Sequence, residues 1–171
     1  MLKPLKKKSV SEDCFLILQV QKPNIPNRIH EEAQIRNLVE KDEFHISVAV
    51  TKNARKIKEV ISRSSAPEKL WEEITTLFES CAWEYSLTDE YYLQENSYSE
   101  PRHTRRTIIQ KVNLSDLLPF YEKLGQILGI IFPMPVPHIT LLSWSDDPLF
   151  MTRGIGISSE EDFETYSQGR L

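Results

Sequence analysis

The chain lacks the features that mark membrane-spanning and secreted proteins. No apolar run reaches 18 residues within the 171-residue sequence, which is the length at which a transmembrane helix becomes a candidate. The start is rich in lysine, with Lys3, Lys6, Lys7 and Lys8, but it continues as Ser-Val-Ser-Glu-Asp and not as an apolar segment. No secretory signal is therefore expected. These absences predict a cytoplasmic protein without membrane contact.

Cysteine is scarce, and there is no excess of positive charge. Cys14 and Cys81 are the only cysteines, and they are expected to be buried thiols in a reducing compartment. The formal net charge is −4, from 21 Lys and Arg against 25 Asp and Glu. This balance argues against a protein that coats long nucleic acid by charge alone, although a local basic patch could hold a small anionic ligand.

Against this ordinary background, two segments repeat one pattern. The first reads Phe-His-Ile-Ser-Val around His45 and Ser47, and the second reads Pro-His-Ile-Thr-Leu around His138 and Thr140. Side chains alternate along a strand, so each histidine shares a face with the hydroxyl residue two positions later. Positions two apart lie about 6.6 Å apart along a strand. An imidazole and a hydroxyl at that spacing can contact neighbouring oxygens of one phosphate.

The residue types match the needs of phosphodiester cleavage. The attacking hydroxyl or water must lose a proton while the leaving oxygen on the opposite side of phosphorus gains one. Two histidines can do both, because an imidazole pKa of about 6.5 leaves both protonation states accessible near neutrality. The hydroxyls of Ser47 and Thr140 can donate hydrogen bonds to the non-bridging oxygens, where charge grows in the transition state. The pattern leaves open which histidine is the acid and which is the base.

The two motifs, 93 positions apart, resemble the signature of the 2H phosphoesterase superfamily, which includes RNA ligase-like proteins and cyclic phosphodiesterases. The resemblance implies an α+β fold of two pseudo-symmetric lobes, each a small antiparallel sheet with helices outside, and an active cleft between them. It implies a metal-independent phosphodiesterase acting on a nucleotide, a cyclic oligonucleotide messenger or a short RNA end. The linkage would be a 2′,3′-cyclic phosphate, a 2′–5′ bond or a 3′–5′ bond. The first motif departs from the family in carrying Ser47 where threonine is common.

Two other functions stay open. One is a nucleotide-binding module with little turnover, and the other is an RNA 2′–5′ ligase, because the same acid and base serve both directions. No third His, Asp or Glu stands at ligand spacing beside the two motif histidines, and no carboxylate cluster suggests a two-magnesium site. Neither a metal nor a cofactor is predicted, and no obligatory protein partner is inferred.

Substrate-binding residues are expected outside the motifs. Arg105 and Arg106, with Arg102, form a basic cluster that could contact a second phosphate or could serve solubility at the end of a hairpin. Lys52 and Arg153 follow the two motif strands and are candidates for the mouth of the cleft.

Aromatic side chains could stack on a base. Trp144 shares a strand face with His138 and Thr140 by alternation, so it is the first choice, and Tyr91 is a second candidate. His30 and His103 lack the motif and are interpreted as surface residues.

The periodicity of the chain predicts its main elements. Residues 1–11 are interpreted as a flexible basic tail, and residues 12–171 as a single domain. Strands are expected at 14–20 and 44–51, and helices at 31–40, 53–61, 67–80 and 116–128. The connection 95–106 is polar and contains three arginines, so it is predicted to be a substrate-facing loop. Gly154 and Gly156 are expected to allow close backbone packing.

Overall fold

The computed structural model describes residues 3–4, 7–10 and 13–171, and this part of the chain has a mixed α+β fold. Its strands are β1 (Lys3–Pro4), β2 (Lys7–Val10), β3 (Leu16–Val20), β4 (Val39–Glu40), β5 (Phe44–Ala49), β6 (Glu84–Ser99), β7 (Arg102–Leu114), β8 (His138–Ser145) and β9 (Ser167–Arg170). Its helices are α1 (Asn27–Ile35), α2 (Thr51–Arg63), α3 (Pro67–Ser80), α4 (Leu117–Leu128) and α5 (Glu160–Tyr166), with a 3-10 helix at Pro148–Phe150.

The described strands pair antiparallel and join into one open sheet. The order along the sheet is β1-β6-β7-β8-β5-β3-β2, while β4 also pairs with β8 and β9 with β6. The two motif strands, β5 and β8, are neighbours near the centre and meet at the pair Ile46–Ile139. The resemblance implied a separate small sheet in each of two lobes, whereas the described strands form a single sheet.

The helix predicted from an apolar stripe is confirmed. Helix α3 spans Pro67–Ser80, as predicted, and buries Ile74 and Phe78 completely. Pro67 begins it, where a missing backbone N–H breaks no helical bond. Helix α4 is also confirmed to within one residue, and it ends at Gly129, whose φ of 65° lies in the left-handed region that glycine adopts without strain.

Two helix boundaries differ from the prediction. Helix α1 covers Asn27–Ile35 and not 31–40, because the chain turns at Asn37, whose φ is 57°, and Val39 and Glu40 then pair with β8 as β4. Helix α2 begins at Thr51, two residues before the predicted cap at Asn53. The side chain of Asn53 is 1% exposed and donates to the Tyr121 hydroxyl at 3.0 Å, so it ties α2 to α4 and does not cap α2.

The predicted substrate-facing loop at 95–106 is wrong as a loop. Strands β6 and β7 run through it as a hairpin and leave only Glu100 and Pro101 at its tip. Its polar residues are cross-strand partners: Arg106 Nε donates to Glu95, and the hydroxyls of Ser97 and Thr104 lie 3.3 Å apart. A solvated two-stranded ribbon has the same polar composition as a loop, so composition alone predicted a loop here.

A different hydrophobic cluster packs on each of the two faces of the sheet. Phe44, Ile46 and Val48 of β5 join the main core, to which helices α1 to α4 also contribute. A smaller cluster lies on the opposite face and consists of Ile109, Val136, Ile155, Ile157 and Phe163. It holds α5 and the segment before it against the sheet. The motif histidines alternate with the core residues of β5 and β8, so they project towards this second face.

The predicted flexible tail at residues 1–11 includes two segments that pair in the sheet. Lys7–Val10 pairs with β3, and Lys3–Pro4 pairs with β6. The rest of the predicted tail lies outside the described residues. No helix among the described residues is long and apolar enough to cross a membrane.

Candidate active site

The register of β5 against β8 brings the two motifs together. One step along both strands from their shared isoleucine pair places His45 opposite Thr140. A step the other way places Ser47 opposite His138. Alternation puts all four side chains on one face, and by this register the Cα atoms of the two histidines are diagonal neighbours about 7–8 Å apart.

All four motif side chains line one cavity of about 520 Å³, within the size range of small-ligand sites. The other walls come from the start of β3, the N-terminus of α2, the β6–β7 hairpin and the segment between the 3-10 helix and α5. Lining residues from these elements include Thr51, Tyr98, Arg105, Arg153 and Gly156, and Lys41 joins them from the connection between β4 and β5.

Two glycines let the segment before α5 lie directly on the site. A Cβ atom on Gly154 would stand 3.0 Å from Thr140 Oγ1, and one on Gly156 would stand 2.2 Å from Thr51 Cγ2. The prediction of close backbone packing at these glycines is confirmed. This contact sets the width of the cavity at the second motif.

His138 has a defined tautomer. Its Nδ1 lies 2.7 Å from the carbonyl oxygen of Val136, and a carbonyl can only accept, so Nδ1 carries a proton. Nε2 is then the nitrogen available to a ligand. Burial lowers the pKa of His138, the Val136 carbonyl opposes this by favouring the imidazolium, and the charge of Lys41 adds to the lowering.

His45 is also held in the neutral state. Burial lowers its pKa to about 4, with smaller contributions from the positive charges of Lys41 and His138. No hydrogen bond in the described structure supports its imidazolium. The charge of His138 contributes to the lowered pKa of His45, so the two histidines lie within electrostatic range of each other. At neutral pH the site therefore holds two neutral imidazoles.

The cavity attracts anions. Its charged lining residues, within the part of the chain that the structure describes, are Lys41, Arg105 and Arg153, and neither Asp nor Glu lines it. The whole chain is net negative, so this concentration of positive charge is local. Burial lowers the pKa of the Lys41 ammonium, and the carboxylate of Glu43 partly restores it.

The predicted base-stacking residue Trp144 lies on the wrong face. The pairs Ile109–Thr140 and Ile108–Leu142 differ by one residue in register, so β8 carries an extra residue between Thr140 and Leu142. Such a bulge reverses the alternation beyond it. Trp144 consequently packs against the main core, under the guanidinium of Arg106 at 4.9 Å.

Three other predicted binding residues also lie outside the cavity. Arg106 is paired with Glu95. Lys52 forms an ion pair with Asp162, which raises the pKa of the lysine. Tyr91 is buried at 4% exposure, and its hydroxyl accepts from Gln110. Of the six predicted substrate contacts, the structure therefore brings Arg105 and Arg153 to the motif residues.

Sequence reasoning missed Lys41 at the cavity and misplaced His103 behind it. Lys41 belongs to the same alternation set as His45, and that parity was the available signal. Tyr98 lines the cavity from the hairpin, within the segment 95–106 that was predicted to face a substrate. The interpretation of His103 as a surface residue is wrong, because it is 3% exposed and stacks between Tyr98 and Phe150.

The described residues contain no cluster of three or more His, Cys, Asp or Glu side chains placed to hold a metal ion. Comparison with family models, curated proteins and solved structures found no match to this chain.

Proposed function

We propose that this protein is a phosphodiesterase of the 2H type that cleaves a nucleotide or RNA-end phosphodiester without a metal ion. One observation carries the proposal: both His-x-Ser/Thr motifs line a single cavity whose charged residues, among those described, are all cations. Such a cavity favours a phosphate over a neutral or cationic ligand. The paired histidines supply the acid and base that the phosphate chemistry requires.

The environments of the two histidines favour one assignment of roles. His45 has its pKa lowered to about 4 and is neutral at physiological pH, so it accepts the proton of the attacking hydroxyl or water. His138 has a carbonyl acceptor behind Nδ1 that stabilises its imidazolium, so it donates a proton to the leaving oxygen from Nε2. A bound phosphate anion raises the pKa of a nearby imidazole, and the acid thus becomes charged when substrate binds.

The remaining lining groups stabilise negative charge. The hydroxyls of Ser47 and Thr140 donate to the non-bridging oxygens, and Lys41 lies close enough to influence both histidines. These groups are fixed by strands and by the packed segment before α5. A preorganised polar site of this kind requires little rearrangement when charge develops in the transition state.

We further infer that the two motif halves are related by an approximate two-fold axis, with the cavity as the cleft between them. The register supports this, because the same step from the shared isoleucine pair relates His45 and Thr140 to His138 and Ser47. Each histidine then faces the hydroxyl of the other motif.

A hydrolysis panel in the presence of a chelator tests the proposal. The substrates are nucleoside 2′,3′-cyclic phosphates, 2′–5′ and 3′–5′ oligonucleotides, and cyclic di- and trinucleotides. Wild type should turn over one class, and His138→Ala should lower that rate by at least about a hundredfold. His30→Ala is the matched control, because His30 lies on α1 outside the cavity. Tight binding of one nucleotide without cleavage of any substrate would reject the enzyme and support a nucleotide-binding module.

A further inference from the structure

Two arginines meet at the cavity wall without a negative partner. Arg105 and Arg153 both contact the ring of Phe150, with guanidinium carbons 4.5 Å and 5.1 Å from its centroid. Within the described residues neither forms an ion pair with a carboxylate, although the neighbouring Arg106 is paired with Glu95. Two like charges held together in this way are unfavourable unless an anion joins them.

Arg105 is fixed in place by a layer of aromatic rings. Its guanidinium lies 4.4 Å from the Tyr98 centroid as well as against Phe150. The ring of His103 stacks on the same two rings, at 4.6 Å and 4.2 Å between centroids. Arg105 Nε donates to His103 Nε2 at 2.9 Å. Arg105 and His103 therefore lie side by side between Tyr98 and Phe150.

The tautomer of His103 allows its ring to accept a hydrogen bond from Arg105. Its Nδ1 donates to the carbonyl oxygen of Pro101 at 2.6 Å, which leaves Nε2 free to accept from Arg105. Arg105 Nη1 donates to the carbonyl oxygen of Gly154 at 3.2 Å. Nη2 makes no hydrogen bond with the described residues. One end of the guanidinium is thus anchored, and a terminal nitrogen remains for a ligand.

The anchored arginine lies next to the second motif. Gly154, which accepts from Arg105, also packs on the hydroxyl of Thr140. An anion bound by Arg105 would therefore lie beside the phosphate that Thr140 contacts, in the same cavity. Since its rotamer is already fixed, Arg105 loses little side-chain entropy on binding that anion.

We propose that Arg105 and Arg153 form a second phosphate subsite, so that the preferred substrate is a nucleotide carrying another phosphate beside the diester to be cleaved. His103 is a positioning residue that orients Arg105. That this ligand is a substrate rests on the proposed function, but the second phosphate subsite itself can be tested by binding alone.

The test compares two stable probes that differ by one phosphate, adenosine 3′-phosphate and adenosine 3′,5′-bisphosphate, by isothermal titration calorimetry. Wild type should bind the bisphosphate at least about tenfold more tightly, the gain expected from one charge-assisted contact to phosphate. Arg105→Ala should lose this preference, because its affinity for the bisphosphate should fall to about its own affinity for the monophosphate. Arg106→Ala is the matched control and should keep the preference, because Arg106 lies outside the cavity.

His103→Phe tests the positioning role. Phenylalanine preserves the stack between Tyr98 and Phe150 but removes the nitrogen that accepts from Arg105. The bisphosphate preference should fall at least about threefold while monophosphate affinity stays unchanged. A purely structural loss would weaken both probes equally, and that result would overturn the role of His103.

Binding and turnover separate the two proposals. A bisphosphate preference that depends on Arg105, found in a protein that cleaves none of the panel, would support the subsite and reject the enzyme. Turnover of a diester with no preference for the bisphosphate, or with a preference that survives Arg105→Ala, would overturn the subsite and leave the proposed function standing.

Discussion

The pKa of His45 makes a quantitative prediction about stability in acid. Folding lowers this pKa from an ordinary value near 6.5 to about 4, chiefly by burial. The folded protein therefore keeps His45 neutral over a pH range in which the unfolded chain binds a proton. The stability contributed by the neutral site is fully present above pH 6.5. It is lost as the pH falls from 6.5 to about 4.

The size of the effect follows from the pKa difference. One pKa unit corresponds to about 1.36 kcal/mol, so a lowering from 6.5 to about 4 corresponds to about 3 kcal/mol between pH 7.5 and pH 4. This is a large part of the 5–15 kcal/mol that holds a typical domain folded.

Urea unfolding of wild type and His45→Asn at pH 7.5 and pH 4.5 measures the loss of stability that His45 causes in acid. Any other group that contributes to the pH dependence does so in both proteins, so the comparison of the two pH drops isolates His45. Wild type should lose about 2 kcal/mol more than His45→Asn on going to pH 4.5. His30→Asn should behave as wild type. Equal drops, within about 0.5 kcal/mol, would refute the burial of a neutral imidazole at this position.

Two further predictions concern packing and pH. Gly156→Ala should destabilise the protein by about 1–3 kcal/mol in urea unfolding, because its Cβ would overlap Thr51 Cγ2. Adding Thr51→Ser should recover part of the lost stability. An unchanged unfolding midpoint for Gly156→Ala would show that the segment before α5 does not pack on α2. For any substrate that is cleaved, kcat/KM should peak below pH 6.5, because both histidine pKa values are lowered; a maximum above pH 8 would exclude the proposed pair.

Local sequence patterns correctly predicted the helices and strands in which apolar residues recur with a single helical or strand periodicity from end to end. The apolar stripe of α3 matches a 3.6-residue repeat, and its bounds were correct. Each His-x-Ser/Thr motif lies on a strand, as alternation required. These features depend on neighbours in sequence, so the sequence was sufficient for them.

Features that depend on long-range pairing could not be predicted in the same way. The bulge in β8 turns Trp144 into the core, and it is visible only in the register with β7. The polar residues 95–106 had the composition of a loop, but they form a ribbon because each pairs with a partner across the hairpin. Burial of His103 depends on Phe150, which is distant in sequence.

The central claim is that His45 and His138 act as base and acid on one phosphodiester, and replacing the leaving oxygen with sulfur tests it most directly. A thiolate leaves without protonation, so a substrate with a bridging sulfur needs no general acid. For whichever linkage is cleaved, His138→Ala should be inactive on the oxygen substrate and should recover to within about tenfold of wild type on the sulfur substrate. His45→Ala should stay inactive on both. Recovery of His45→Ala with no recovery of His138→Ala would reverse the assignment, and wild-type rates for either variant on the oxygen substrate would contradict the paired mechanism.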